Sequence, residues 1–130
     1  LPHVTATHAT HPNSLAAGAI PSELGLVTEL VTGGGKSWGT YFLTSNMLTS
    51  SAPTELGGLI KMTGFFSLRS NSLSAAIPTE LGKLDQMSFA FGLSSNSLSS
   101  TIPTQLGQLD QMSSDFYLAS NSLSSTIPTQ

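Results

Sequence analysis

The triplet Asn-x-Leu returns at a fixed interval of 25 residues, as Asn46-Met47-Leu48, Asn71-Ser72-Leu73, Asn96-Ser97-Leu98 and Asn121-Ser122-Leu123. Other columns keep the same phase. Seven residues past each Asn stands Pro53, Pro78, Pro103 or Pro128, and ten past stand Leu56, Leu81 and Leu106, each followed by Gly. A looser copy, Asn13-Ser14-Leu15 with Ile20-Pro21 and Leu24-Gly25, precedes them. One unit of this length has too little apolar surface to fold alone, so such a period requires a solenoid in which each coil buries its inner side against the next. The reading is a leader over 1–12 and a solenoid over 13–130 of about five coils, with an insertion at about 27–37, where Gly33-Gly34-Gly35 marks a loop.

Within a coil, Tyr41/Leu43, Phe66/Leu68, Phe91/Leu93 and Phe116/Leu118 form period-2 pairs, the mark of a short strand with both side chains inward. Stacking joins these strands into a parallel sheet that rises about 4.8 Å per coil. Asn46, Asn71, Asn96 and Asn121 then turn the chain, and their amides form a ladder that satisfies backbone groups left bare by the turn. Leu73, Leu98 and Leu123 return to the core, followed by Ile77, Ile102 and Ile127 beside a proline that sets an extended entry. The i, i+3 spacing of Leu81, Leu84 and Met87, repeated in Leu106, Leu109 and Met112, predicts a short helical or 3-10 turn opposite the sheet. The fold class is therefore an α/β solenoid, with parallel sheet on one face and short turns on the other.

The columns from Leu81 through Asn96 to Pro103 resemble the plant-specific leucine-rich repeat, L-x-x-L-x-x-L-x-L-x-x-N-x-L-x-G-x-I-P-x-x-L-G, and the match runs over about 13–130. In flavour, "S-N-S-L-S-S-T-I-P-T-Q-L-G-Q-L" looks most like Ser/Thr-rich copies in extracellular proteins of algae and related protists. Two departures stand out. The family's Gly four residues after the Asn is replaced by Ser50, Ala75, Ser100 and Ser125, where the backbone usually needs room or a positive φ. Each coil also has one residue more than the family's usual repeat, between Met87 and Phe91, so a bulge or widened turn is expected there. The resemblance implies a right-handed coil, an extracellular or cell-surface setting, and binding or scaffolding rather than catalysis. The family's Cys-containing end caps are missing, which leaves both ends of the stack open on this reading.

Composition narrows the partners. Only 8% of the 130 residues are charged, with seven acids, four bases and a net charge of −3, so there is no basic stripe to follow phosphates and nucleic acid is not expected. Membrane insertion is not expected either, since no apolar run approaches the roughly 20 residues of a spanning helix. Solubility rests on hydroxyls, because 22 Ser and 15 Thr exceed a quarter of the chain and also offer sites for O-linked sugar. Every Asn is followed two places on by Leu, so no N-glycosylation sequon exists. With no Cys, disulfides and thiolate chemistry are excluded.

No enzyme, cofactor or metal site is assigned. Gly33-Gly34-Gly35-Lys36-Ser37 lacks the first Gly of a phosphate loop, and His3, His8 and His11 in the leader mark no third metal ligand. Glu55 and Glu80 share a column with Gln105 and Gln130, while Asp85 and Asp110 share another, unlike the singular carboxylates of a catalytic pocket. The outward strand positions are Thr40/Phe42/Thr44, Phe65/Ser67/Arg69, Ala90/Gly92/Ser94 and Asp115/Tyr117/Ala119. They vary between coils, and Phe42, Phe65, Arg69 and Tyr117 are residue types that anchor interfaces. Thr54, Thr79, Thr104 and Thr129 form a second candidate, a hydroxyl ladder. The leading expectation is a structural module that self-associates end to end into filaments and carries O-glycans; the alternatives are a receptor or adhesion ectodomain that binds protein or glycan on the strand face, and an ice-binding protein that uses the ladder.

Overall fold

The computed structural model describes residues 17–26, 41–124 and 127; the expected leader, the insertion, the three His, the Gly-rich run, Thr40 and Thr129 lie outside the described residues. Nine short strands occur among the described residues: β1 (Ala17–Ala19), β2 (Tyr41–Phe42), β3 (Met47–Thr49), β4 (Phe66–Ser67), β5 (Ser74–Ala75), β6 (Phe91–Gly92), β7 (Ser97–Ser100), β8 (Phe116–Tyr117) and β9 (Ser122–Leu123). Five-residue 3-10 turns over Ser22–Leu26, Thr54–Gly58, Thr79–Lys83 and Thr104–Gln108 alternate with them.

Strands β2, β4, β6 and β8 form a parallel sheet in that order, pairing Tyr41 with Phe66, Phe66 with Phe91 and Phe91 with Phe116. One sequence repeat is thus one turn of the coil. Phe66 and Phe91 stack at 5.2 Å between ring centres, and Phe91 and Phe116 at 4.8 Å, both pairs 14° from parallel. Beneath this column, Leu68, Leu73, Leu81, Leu84 and Met87 have no exposed surface, and Leu93 and Leu98 are 1% exposed. Like side chains lie above one another, so a residue of the central coils is covered on both sides by its own counterparts.

A second parallel arrangement stands beside the expected sheet. Strand β1 pairs with β3, and β5, β7 and β9 pair in order. Backbone bonds from Ser72 N–H to the Leu48 carbonyl (2.8 Å) and from Ser74 N–H to the Ser50 carbonyl (2.9 Å) tie the two groups together. The cause is local. Ser72-Leu73-Ser74 and Ser97-Leu98-Ser99 alternate polarity with period 2, which turns Leu inward and leaves the flanking residues exposed, and Leu48 is buried between exposed Met47 and Thr49 in the same way.

The Asn amides stand between the two sheets and are part-buried. Asn96 accepts from Leu73 N–H (3.0 Å) and donates from Nδ2 to the Leu68 carbonyl of the preceding coil (3.0 Å) and to the Leu93 carbonyl of its own (3.1 Å). Asn71 makes the same set with Leu48 N–H, Leu43 and Leu68, and Asn121 with Leu98 N–H, Leu93 and Leu118. The carbonyls of Leu43, Leu68 and Leu93 therefore each receive two successive amides. The ladder is a continuous chain of bonds rather than a row of separate caps.

Backbone strain is concentrated where the family's glycine is missing. Ser50, Ala75 and Ser100 have φ of 70°, 70° and 74°, and the residue before each Asn is also left-handed, from Ser45 (57°) to Ser120 (57°). A side chain in that region costs about 1–2 kcal/mol. On the turn side, Pro53, Pro78 and Pro103 enter the 3-10 turns in extended conformation, followed by i to i−3 bonds through Leu56, Leu59 and Met62 and their counterparts. Gly82 lies so close to the carbonyl of Gln105 in the next coil that no β-carbon fits, which explains Leu-Gly in these turns. The extra residue of each coil falls in a bend that carries its own bonds. Ser88 donates from both N–H (3.0 Å) and Oγ (2.9 Å) to the Thr63 carbonyl, and Ser113 does so to that of Ser88.

Two stability predictions follow. Asn96→Leu strips three backbone groups of a partner and should lower stability by about 2–4 kcal/mol in chemical denaturation, with Asn96→Asp also destabilising because a carboxylate has no proton to donate. Ala75→Gly should raise stability by about 0.5–1 kcal/mol, the left-handed strain relieved less the chain entropy glycine adds.

Candidate recognition face on the strand side

The candidate residues Phe42, Phe65, Arg69 and Tyr117 are exposed on the strand side of the solenoid, where the coil spacing brings them into two groups. The rings of Phe42 and Phe65 stack at 5.6 Å, and those of Phe65 and Phe89 at 5.0 Å, which makes a three-ring rail across three coils. Phe89 was absent from the outward positions read from the pattern. It occupies the bend made by the extra residue of its coil, and an aromatic at an inserted position is the signal that marks it.

The second group is built around Arg69. Its aliphatic stem crosses Gly92 in the next coil, where a β-carbon would lie 2.8 Å from Cδ and 2.9 Å from Cγ. Its Nε then donates to Ser94 Oγ (2.8 Å), and its guanidinium stands 4.5 Å above the ring of Tyr117, one coil further on. Tyr117 in turn donates its hydroxyl to Asp115 Oδ2 at 2.6 Å. That bond, with partial burial and the charge of Asp115, raises the Tyr117 pKa above the ordinary tyrosine value, while Arg69 works against the shift.

This arrangement corrects part of the outward set. Ser67 and Ser94 are each 6% exposed, and Ala90 and Gly92 are buried too. Arg69 laid across Gly92 and bonded to Ser94 covers those two, and Ser67 Oγ is paired to Thr44 Oγ1 at 2.8 Å. The exposed face consists of large side chains roofing small ones.

Thr54, Thr79 and Thr104 are exposed at the first position of their 3-10 turns. Their hydroxyls donate to Glu55 Oε2 (3.3 Å), Glu80 Oε2 (3.2 Å) and Gln105 Oε1 (3.4 Å) within the same coil. Asp85 and Asp110 accept from Gln86 and Gln111 and border an open groove on the turn side with Lys83 and Ile60. Among the described residues, no three His, Cys, Asp or Glu gather as metal ligands, and no helix is long and apolar enough to cross a membrane.

No family model and no curated protein matches the chain. Solved structures do. The leucine-rich-repeat ectodomain of the plant membrane receptor kinase GASSHO1/SCHENGEN3 from Arabidopsis thaliana, in complex with CASPARIAN STRIP INTEGRITY FACTOR 2, aligns with 84% of the chain at a TM-score of 0.73 and 29% identity. The BIR3–SERK2 complex from the same plant aligns with 87% of it at 0.69 and 33%, and the BIR2 ectodomain with 86% at 0.70 and 33%. The fold is a leucine-rich-repeat solenoid like those of these plant ectodomains. The solenoid spans 12%, 55% and 53% of those three chains, in that order. Its second sheet is the part of that fold that its own spacing left least explicit.

Removing the Asp115 acceptor should bring Tyr117 back toward the ordinary tyrosine range. In an ultraviolet pH titration, Asp115→Asn is expected to lower the shifted ionisation, Arg69→Met to raise it, and Tyr117→Phe to abolish that component; an unchanged profile in all three would remove the cluster.

Proposed function

We propose that the solenoid is a non-enzymatic recognition module of an extracellular or cell-surface protein, and that it binds a protein or peptide on its strand side. One observation carries this reading. Among the described residues, the strand side combines exposed aromatic rings with an arginine already held in place, the combination that concentrates binding energy in interfaces. The ectodomain neighbours, crystallised with a named factor or a partner protein in two of the three cases, support it by analogy.

The other readings have less behind them. Sugars commonly stack on open ring faces, yet Phe65 is faced by a ring on both sides and Tyr117 by Arg69. The Thr hydroxyls of the ladder are turned to neighbours in their own coils, which weakens an ice-ordering role. End-to-end filaments, O-glycans and the algal or protist flavour rest on repeat pattern and hydroxyl content. They rank behind recognition for that reason.

Peptide display against the immobilised chain tests the proposal. Selected binders should be lost on Phe42→Ser/Phe65→Ser/Arg69→Ala/Tyr117→Ala and kept on Thr54→Ala/Thr79→Ala/Thr104→Ala, each variant first shown to melt cooperatively. Binders that ignore the first set and follow the second would move the site to the turn side.

A further inference from the structure

We infer that the strand side takes an extended acidic peptide running along the solenoid axis, with an internal Asp or Glu carboxylate on the terminal nitrogens of Arg69 and an apolar side chain about four residues away against Phe42 and Phe65. The inference rests on the recognition reading above and names the chemistry of its ligand.

The first support is the state of the guanidinium. Arginine has five N–H donors in a rigid fork. Here Nε is spent on Ser94, one face lies on Tyr117, and the stem is seated over Gly92, while among the described residues neither terminal nitrogen has a hydrogen-bond partner. The group is thus held at three points with its bidentate edge free. A planar oxyanion fits that edge with two parallel bonds, and little side-chain entropy remains to be lost.

Charge placement is the second support. Lys61 and Lys83 stand in the turn half, Lys83 close in sequence to Glu80 and Asp85, so Arg69 is the base that the described strand side offers. Asp115, the acid of that side, is engaged by the Tyr117 hydroxyl.

Geometry then sets the spacing. Because Arg69 reaches forward over Gly92, its charge sits at the coil of Tyr117, three coils beyond that of Phe42. Three steps of about 4.8 Å make roughly 14 Å, and an extended chain advances about 3.3 Å per residue, so about four residues cover the distance. Phe42 is 53% exposed and open to an apolar side chain at that end.

The test uses short synthetic peptides, acetylated and amidated, in a Gly/Ser background, read by fluorescence anisotropy with the whole chain. One set holds Leu and Glu about four residues apart in either order; controls replace Glu by Gln, place the pair side by side, or carry Gln with a free C-terminal carboxylate. The spaced acidic peptide should bind about tenfold more tightly than each control. Arg69→Lys should lose about tenfold by giving up bidentate contact, and so should Gly92→Val, whose β-carbon dislodges the stem without touching the guanidinium. Thr79→Ala should change nothing. Equal binding of the Gln peptide, or full affinity in Arg69→Ala, overturns the oxyanion site while recognition on the Phe rings survives. Preference for the free C-terminus also overturns the internal carboxylate, and binding by none of the peptides overturns the proposal whole.

Discussion

Everything in this solenoid depends on the carboxamide that bridges successive coils. At each Asn the chain leaves one parallel sheet and begins another, and the residue before it already adopts a left-handed backbone. Backbone N–H and carbonyl groups at such a corner have no ladder partner, and leaving them bare would cost on the order of 1–3 kcal/mol each. An amide is the side chain that can accept once and donate twice from the same spot, which Asn71, Asn96 and Asn121 do. Since each bond set reaches both its own coil and the one before, the ladder also sets the stacking register. The Phe66–Phe91–Phe116 column and the buried leucines fall into line behind it.

Register has a consequence for function. In a stack this regular, residues from different coils become neighbours on a surface, and Arg69 meets Tyr117 only because Gly92 between them has no side chain. Strain follows the same logic. The solenoid tolerates Ser50, Ala75 and Ser100 at φ near 70° in three successive coils, held there by ladders on both sides of the corner.

Much of the architecture was legible because repeats turn weak signals into columns. The inward pairs Phe66/Leu68 and Phe91/Leu93, the Asn row, and the turn carrying Leu81, Leu84 and Met87 all follow from period and polarity. The second sheet was missed, although Ser97-Leu98-Ser99 alternates as a strand should, since two or three residues make too short a pattern to separate from a single inward leucine. Phe42, Phe65, Arg69 and Tyr117 were recognisable by type and phase, while Phe89 was not, because the inserted residue shifts it off the two-residue count.

What the sequence determined by itself was the coil: its length, its inward columns, its polar corner and the positions where glycine is replaced. These are local properties, repeated until they leave one way to bury the apolar side. Only the tertiary structure decided that Arg69 lies flat across Gly92 onto Tyr117, that Ser67 and Ser94 are roofed over, and that three phenylalanines form a rail. Those facts depend on the side-chain directions of neighbouring coils, and a long flexible side chain has no preferred direction until the surface beside it exists.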